Sequence, residues 1–547
     1  MHGAVTSFIF AVAMLVVAPA MADPGDCGTI VVPTGIGVAS GDDITSFNPL
    51  LTTSLYNSTA AGMMFQPLLW INGNTLQIDW SRSIASAVTT PDDGTTYDVK
   101  LRPWIWSDGV PVTSADVAYT WKLIQKFGAA YTGYGAGGVP MDIKSFKVVS
   151  PEEFEVVLKR RVNPQWFIGN GLDAFLPLPA HAWGMYSADQ IYQNQSNIKF
   201  FSVVDGPLAP VLMQFGQQMA FVPNTAWPGG RLHFNRFVFK FVESDGATVQ
   251  QVEAGELDMA NVPMGLWNAV QHLPGIHIVT LPEQIGFNET QLNLRNPKVA
   301  FLRDVRVRQA IADAIDQKQM IELIDHGHGE EHWGAVAPAA KTFLSPEMQK
   351  GHYPVGYNPQ RSLELLKDAG FIPGPDGIMQ KDGKQLSFTY LNLTGDAMIE
   401  QMTDMMQAYL RKVGIGMRVR DIEFNQMIAL LNNPHADWEA AGLGASGAPY
   451  PSGEDLFKTG SFENSGGYSD PMMDKYIDES TNDPGLAGLY KYETYASAQQ
   501  PWVFMETADV SMLVQNRIKG ASRFIDPLYN YYPENLSCTT PQVEVTK

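Results

Sequence analysis

The segment LRPWIWSDGVPVTSADVAYTW, residues 101–121, constrains the fold more than any other part of the 547-residue chain. Its residue pattern indicates the end of a strand, a tight turn at residues 107–109, and then a helix. Thr113 is placed to be the N-cap residue, and Asp116 three positions later completes a capping-box pattern. The apolar residues that follow recur at helical spacing and predict one buried helix face: Val117, Trp121 and Ile124.

The same segment resembles the "LR…WSDG-P-T-DV" signature of family 5 extracellular solute-binding proteins, which are the peptide, nickel and oligosaccharide receptors of ABC importers. Other segments resemble this family in the family's order: YDVKLR, LPLPAHAW, the run from His233 to Val262, FLRDVRVRQAIADAID, YNPQRSLELLKDAGF and YLRKVGIGMRV. The resemblance therefore covers nearly the whole mature chain. It implies an α/β, two-lobed periplasmic-binding-protein fold of type II, in the large three-subdomain variety, with a ligand cleft between the lobes.

The resemblance also implies a division of the chain. A first lobe is expected from residue 23 to 282, a second lobe from 283 to 505, and a return to the first lobe from 506 to 547. The two crossings would form a hinge, and such a hinge suits closure around a ligand. Residues 1–22 contain a short apolar run that ends in Ala20-Met21-Ala22, a pattern typical of a cleaved signal peptide. We therefore predict a soluble periplasmic protein.

The composition narrows the range of partners. The formal net charge of −20 argues against nucleic acid or an anionic membrane surface. The chain has 2 cysteines, Cys27 and Cys538, one near each end of the mature sequence. Cysteines in an oxidising compartment can pair, and the termini of a domain often lie close together. We predict a Cys27–Cys538 disulfide.

Two motifs suggest other functions. Residues 442–447 match G-x-G-x-x-G, but Pro449 and Pro451 follow at once, so the helix that a dinucleotide site needs cannot begin there. Residues 328–332 match the zinc-peptidase pattern H-x-x-E-H, but Gly327 and Gly329 disfavour a helix. We predict a solvated or cleft-lining loop at this second motif. The alternative is a metal site there with three candidate ligands: His326, His328 and His332.

The resemblance implies a receptor rather than an enzyme, with no cofactor. It is expected to act as a monomer that captures a small solute, oligopeptide-like, and delivers it to an ABC permease in the inner membrane. Three alternatives remain open at this point. They are a receptor for an oligosaccharide or other neutral solute, an extracytoplasmic metal-binding protein or metallo-enzyme that uses the 326–332 segment, and a sensory receptor for chemotaxis.

The expected ligand contacts come from both lobes: Phe47, Asn48 and Tyr56 from the first, and Asn392, Asp396, Ser446 and Tyr450 from the second. Dipeptide receptors of the family hold the amino group of the ligand with an Asp in a "GW-GD" loop, where this chain has GLGASG with Ser446 near that place. They hold the ligand carboxylate with an Arg before the "L-K-GI" helix, but no Lys or Arg occurs from Gln385 to Leu410. Because a buried unpaired charge is costly, we expect free zwitterionic dipeptides to bind poorly.

Overall fold

The computed structural model describes residues 26–37, 44–52, 54–91, 94–281, 284–394, 397–461 and 463–539. The predicted signal peptide, residues 1–22, lies outside the described residues. The described chain forms a mixed α/β structure with two lobes, as predicted. The largest buried apolar cluster fills the first lobe and reaches into the second, and a separate cluster underlies the helices of the second lobe.

The first lobe contains a four-stranded sheet that joins distant parts of the chain. The strand that begins the described chain pairs in parallel with Arg236–Lys240, so the sheet can form only after both segments are present. The order of its strands is Thr29–Pro33, Arg236–Lys240, Gln218–Pro223 and Leu208–Gln214.

A second sheet of the first lobe is antiparallel throughout, in the order Ala85–Thr89, Thr96–Leu101, Glu153–Leu158 and Ile143–Ser150. The helix Ser114–Phe127 lies between these strands in sequence and has the predicted capping box. The Asp116 carboxylate accepts the backbone N–H of Thr113 at 2.8 Å, and the Thr113 hydroxyl accepts the N–H of Ala115. Val117 and Ile124 are fully buried, which confirms the predicted apolar face.

The second lobe is built on a mixed five-stranded sheet in the order Gly416–Ile422, Ser387–Leu393, Ala440–Ser446, Gly286–Leu292 and Trp502–Phe504. The two outer strands on one side run parallel, whereas Gly286–Leu292 runs antiparallel to both of its neighbours. Helices Val305–Ala314 and Ala397–Lys412 bury their apolar faces on this lobe. Asp304 caps the first of them by accepting the N–H of Arg306, as the sequence predicts.

The chain passes between the lobes at two places that lie side by side. The strand Ser511–Gln515 returns to the first lobe and pairs with both Met259–Asn261 and Ile276–Thr280. Close to this return, Gly329–Glu330 of the second lobe pairs with Thr507–Ala508. The limits of 282 and 505 for the lobes stay a prediction.

The disulfide between Cys27 and Cys538 is present, with the two Cα atoms 5.0 Å apart, and this confirms the predicted pairing. Arg517 reinforces the same junction, because its guanidinium donates to the carbonyls of Cys27 and Thr29. Its Nε also donates to the buried carboxylate of Asp258 at 2.8 Å. Both ends of the described chain are therefore fixed to the first lobe.

The remaining strands form small sheets: Ile71–Asn72 with Gln77–Ile78, Ile372–Pro373 with Met379–Lys381 and Lys384–Gln385, and Ile518–Lys519 with Ser537–Cys538. The remaining α-helices are Leu55–Met64, Pro164–Trp166, Ala180–Trp183, Ala188–Gln193, Asp245–Glu253, Trp267–Val270, Gln317–Leu323, Pro359–Asp368, Phe424–Leu431, Glu454–Phe457, Pro471–Asn482 and Ala487–Gln499. Among the described residues, the helices are all too short or too polar to cross a membrane.

Candidate functional site

A cavity of about 190 Å³ lies where the two lobes meet. Asn170 of the first lobe forms one part of its wall, and the second lobe supplies the rest, mainly from the strand that begins at Gly286 and the loop after Ala440–Ser446. Pockets for whole drug-sized ligands usually measure about 300–1,000 Å³. The cavity therefore fits one chemical group of a ligand rather than a long molecule.

Backbone and amide hydrogen bonds fix the loop that forms most of this wall. The N–H of Gly447 donates to the carbonyl of Ile285 at 2.7 Å, which extends the strand pairing into the loop. Asn170, from the π-helical turn Phe167–Gly171, makes two bonds to Tyr450: its amide donates to the Tyr450 carbonyl at 2.8 Å, and its oxygen accepts the Tyr450 N–H at 2.9 Å. One side chain of the first lobe therefore holds the cavity loop of the second.

Acidic side chains give the cavity its charge. Asp455 and Glu463 line it, and the cavity wall contains no Lys, Arg or His within the part of the chain that is described. The neighbouring Glu454 turns away from the cavity and accepts hydrogen bonds from Trp166 Nε1 at 2.7 Å and from the N–H of Gly137. Glu289 lies on the same face of its strand as the cavity-lining Phe287 and is only 3% exposed.

The surrounding protein makes ionisation of these carboxyls unfavourable. Burial raises the pKa of Glu289 to about 8, and the nearby charge of Glu463 adds to this effect. Part of the Glu463 side chain is exposed to solvent. The protein atoms that cover its cavity side disfavour its ionised form, and the charge of Asp455 adds to this effect, so that its pKa is raised to about 7. Burial and the charge of Asp455 raise the pKa of Glu454 to about 8, and burial also raises the pKa of Asp455. A positive charge placed among these groups would favour their ionised forms.

Two of the predicted ligand contacts, Ser446 and Tyr450, line this cavity. The three predicted contacts of the first lobe do not. Phe47 is fully buried and packs edge-on against Phe201, and Asn48 is fully buried with its oxygen accepting the N–H of Leu50. Tyr56 is partly buried against the core of the first lobe.

The other two predicted contacts of the second lobe are Asn392, which does not line the cavity, and Asp396. Asn392 is buried inside that lobe, where its amide donates to Asp421 and its oxygen accepts the hydroxyl of Thr403 at 2.7 Å. Asp396 lies outside the described residues. The role of all seven residues in ligand binding stays a prediction.

The histidines of the 326–332 segment pack at the junction of the lobes and do not converge. His326 Nε2 donates a hydrogen bond to the carbonyl of Met264, and its ring stacks on Trp267. His328 packs against the same Trp267, with the two ring centroids 4.5 Å apart. His332 is completely buried beside Phe287, so the prediction of a solvated or cleft-lining loop is wrong at this residue. Among the described residues, three or more His, Cys, Asp or Glu side chains nowhere cluster as a metal site would require.

The G-x-G-x-x-G motif lies in the strand Ala440–Ser446 and in the loop after it. Through this stretch, all of which is described, the next helix begins only at Glu454. Gly442 is needed for packing rather than for a phosphate, because a Cβ there would lie 1.9 Å from the hydroxyl oxygen of Tyr390.

The sequence analysis missed Asp455 and Glu463. Both follow the GLGASG loop within a stretch that holds Glu454, Asp455 and Glu463 among prolines and glycines. Such a density of acids directly after a predicted cleft loop is the only signal that the sequence offers. The direction of each side chain depends on how the loop folds back on Asn170 and Ile285.

Comparison with known proteins decides the family. The model of bacterial extracellular solute-binding proteins, family 5 Middle, matches residues 79–465. The chain belongs to this family. The predicted family, fold class and role as a solute-binding receptor, rather than an enzyme, are thereby confirmed.

Individual relatives agree over most of the chain. It is 25% identical to the oligopeptide-binding protein AppA of Bacillus subtilis over 506 residues, which cover 89% of this chain and 88% of that protein. It is 22% identical to the nickel-binding periplasmic protein of Escherichia coli K12, over 88% of this chain and 92% of that protein. The solved structure of Bacillus subtilis AppA with a nonapeptide covers 94% of this chain and all of that chain, with a TM-score of 0.76 and 23% identity.

Proposed function

We propose that this protein is a periplasmic receptor that captures a positively charged, oligopeptide-like solute between its lobes and delivers it to an ABC permease. The observation that carries the choice of ligand is the charge of the cavity wall. Asp455 and Glu463 face the cavity, and Glu289 lies beneath it, with no basic residue among the described lining residues. An ammonium or guanidinium group of the ligand would meet carboxylates and no like charge.

Hinge closure is the proposed mechanism. The cavity has walls from both lobes, so a ligand there contacts both at once and favours the closed arrangement. The hydrogen bonds from Asn170 to the backbone of Tyr450 join the two lobes, so they would stabilise the closed arrangement. The two neighbouring crossings, before Gly286 and before Ser511, are the proposed hinge.

The names of the relatives support a peptide. AppA of Bacillus subtilis is named an oligopeptide-binding protein, and its solved structure holds a nonapeptide. The cavity of about 190 Å³ would hold only one end or one side chain of such a ligand. A metal cargo is less well supported, because the described residues form no cluster of metal-binding side chains.

The cellular setting is part of the proposal. The apolar run that ends in Ala20-Met21-Ala22 supports export through a signal peptide, and the disulfide between Cys27 and Cys538 suits an oxidising compartment. A monomer that meets a permease in the inner membrane is the arrangement that we propose.

Calorimetric titration with short C-terminally amidated peptides tests the ligand class. The peptides would carry Lys, Ala or Glu at matched positions, and we expect the Lys peptide to bind at least about tenfold more tightly, which equals 1.4 kcal/mol. Asp455→Asn and Glu463→Gln should remove this preference. Glu364→Gln, at an exposed helical site, is the matched control. Equal affinity for the Lys and Glu peptides would contradict a cationic ligand.

A further inference from the structure

A second cavity, of about 330 Å³, lies in the first lobe and shares no lining residue with the cavity between the lobes. Ser81 and Arg82, from the turn at residues 79–83, form one side of it, and Arg102-Pro103-Trp104, after the strand Thr96–Leu101, forms another. Residues 227–229 close it with Trp227 and two small neighbours. It is a separate concave site on the protein.

Most polar side chains that line this cavity already form hydrogen bonds within the protein. The Gln66 amide donates to the carbonyl of Arg82 at 2.8 Å, and its oxygen accepts from Trp227 Nε1. Trp104 Nε1 donates to the carbonyl of Asp205 at 3.0 Å. Ser81 donates its hydroxyl to Asp79. The two indole rings are therefore left to act as apolar walls.

The two arginines are the exception. The Nε atoms of Arg82 and Arg102 are buried and have no hydrogen-bond partner among the described residues. Arg82 is paired with Glu534, and its guanidinium lies 4.5 Å from the ring centroids of both Trp70 and Tyr532. Arg102 donates only to backbone carbonyls, those of Trp80 and Ser81, and it forms no ion pair with a described carboxylate. One positive charge at this cavity is therefore not neutralised.

Two acidic residues beside this cavity, Asp79 and Asp205, form no ion pair with Arg102. Asp79 is occupied by the N–H and hydroxyl of Ser81. Asp205, behind Gln66, is fully buried, and burial raises its pKa well above the ordinary value, which favours its uncharged form. In a chain of net charge −20, a cavity lined by two arginines, of which Arg102 has no ion-pair partner among the described residues, is a local reversal of sign.

We propose that this cavity is an oxyanion site, which takes a carboxylate or phosphate group with Arg102 as its main partner. The planar guanidinium is the side chain best suited to both kinds of anion, because its N–H groups match their pairs of oxygens. Trp104 and Trp227 would pack against the apolar part of the molecule that carries the anion. The anion has two sources, a free small molecule or the headgroup of an anionic lipid.

Calorimetry with inorganic phosphate at low ionic strength tests the first source, and flotation with phosphatidylglycerol vesicles tests the second. We expect saturable binding of one anion per chain in at least one arm, and Arg102→Gln should weaken it at least about tenfold. Arg420→Gln, an exposed arginine of the second lobe, makes the same change in net charge and should leave binding unchanged.

A second variant keeps the test valid where Arg102→Gln disturbs the turn that Arg102 holds. Pro103 is exposed at the cavity rim, and Pro103→Glu adds a carboxylate there without removing any bond of Arg102. It should also suppress anion binding. Loss of binding in both variants, with Arg420→Gln unaffected, supports the site. No saturable binding in either arm, or binding that survives both variants, overturns it.

Discussion

The amide Nδ2 of Asn163, in the first lobe, donates a hydrogen bond of 3.0 Å to the hydroxyl of Tyr450, in the cavity loop of the second lobe. That hydroxyl donates in turn to the carbonyl of Ser480 at 3.1 Å. The same amide also donates to the carbonyls of Ser480 and Gly485. The contact between lobes therefore runs through a buried network that also positions a wall of the cavity.

Tyr450→Phe removes this hydroxyl while leaving the ring in place. Asn163 keeps its other acceptors, so we expect a loss of only about 1 kcal/mol in the free energy of unfolding, the usual net value of one hydrogen bond. We also expect weaker ligand binding, because a contact between the lobes is lost. Urea unfolding and calorimetry measure the two effects. Tyr468→Phe is the control, since its buried hydroxyl bonds to no described residue and its loss should cost nothing.

The carboxyls around the cavity predict that ligand binding depends on pH. The pKa of Glu463 is raised to about 7 and those of Glu289 and Glu454 to about 8, so the empty site retains protons near neutrality. A cationic ligand favours the ionised carboxylates, so its affinity should rise between about pH 6 and 8. Lys458, whose charge acts on Glu454, is paired with Asp478 and should not alter the direction of this pH dependence.

Calorimetry with a Lys-containing peptide in two buffers of different ionisation enthalpy would reveal the coupled protons. We expect protons to be released on binding at pH 7, and fewer of them in Glu463→Gln. Affinity that stays level or falls over this range would show that the carboxyls do not contact the ligand charge.

Local structure could be predicted from the sequence because its causes are local. The capping box of Thr113 and Asp116 and the cap at Asp304 depend on residues three or fewer positions apart, and each is present as predicted. The disulfide could be predicted for a different reason: the chain has only two cysteines to pair.

Side-chain direction in the second lobe could not be predicted in this way. Asn392 is polar and lies near the end of a strand, a position that suits a ligand contact. Its amide is instead hydrogen-bonded to Asp421 and Thr403. Those partners are 29 and 11 residues away, on another strand and on a helix. Asp455 and Glu463 reach the cavity because the loop folds back on Asn170, a contact that spans 280 residues. Nothing in the local pattern records such a distant contact.

His332 makes the protein less stable in acid. Burial lowers its pKa to about 3, whereas the unfolded chain binds the proton near pH 6.5. Between these values the unfolded state holds more protons, so this residue makes the free energy of unfolding fall as the pH falls, by up to about 1.4 kcal/mol per pH unit. His332→Leu should remove that contribution while filling the space beside Phe287.

Urea unfolding of the variant and the parent protein between pH 4.5 and 7.5 would measure the difference in slope. Because Glu289, whose pKa is raised by burial, titrates in both proteins, its effect cancels in the comparison. His435→Leu, at an exposed site, should leave the slope unchanged. Parallel curves for His332→Leu and the parent would show that the buried ring does not affect stability through its proton.

Removal of the disulfide should destabilise the protein without unfolding it. Closure of so long a loop contributes up to about 5 kcal/mol in the chain-entropy model, and measured values are often smaller. Cys27→Ser with Cys538→Ser should lower the urea midpoint, while Arg517 keeps the ends in place through Cys27, Thr29 and Asp258. Far-ultraviolet circular dichroism should be unchanged. Two titratable thiols in the denatured, unreduced parent protein would refute the pairing.

Free dipeptides should bind poorly because of the carboxylate that they carry. The amino group has partners in Asp455 and Glu463, but the described cavity wall offers no cation to the carboxylate, which would face two like charges. A buried charge without a partner is costly. Blocking the C-terminus as an amide removes that charge and keeps the rest of the ligand. We expect lysyl-alanine amide to bind at least about tenfold, or 1.4 kcal/mol, more tightly than lysyl-alanine in calorimetric titration. In Asp455→Asn the difference should shrink, since less negative charge then opposes the free carboxylate. Micromolar binding of ordinary dipeptides with no gain on amidation would show that a basic residue outside this cavity holds the carboxylate.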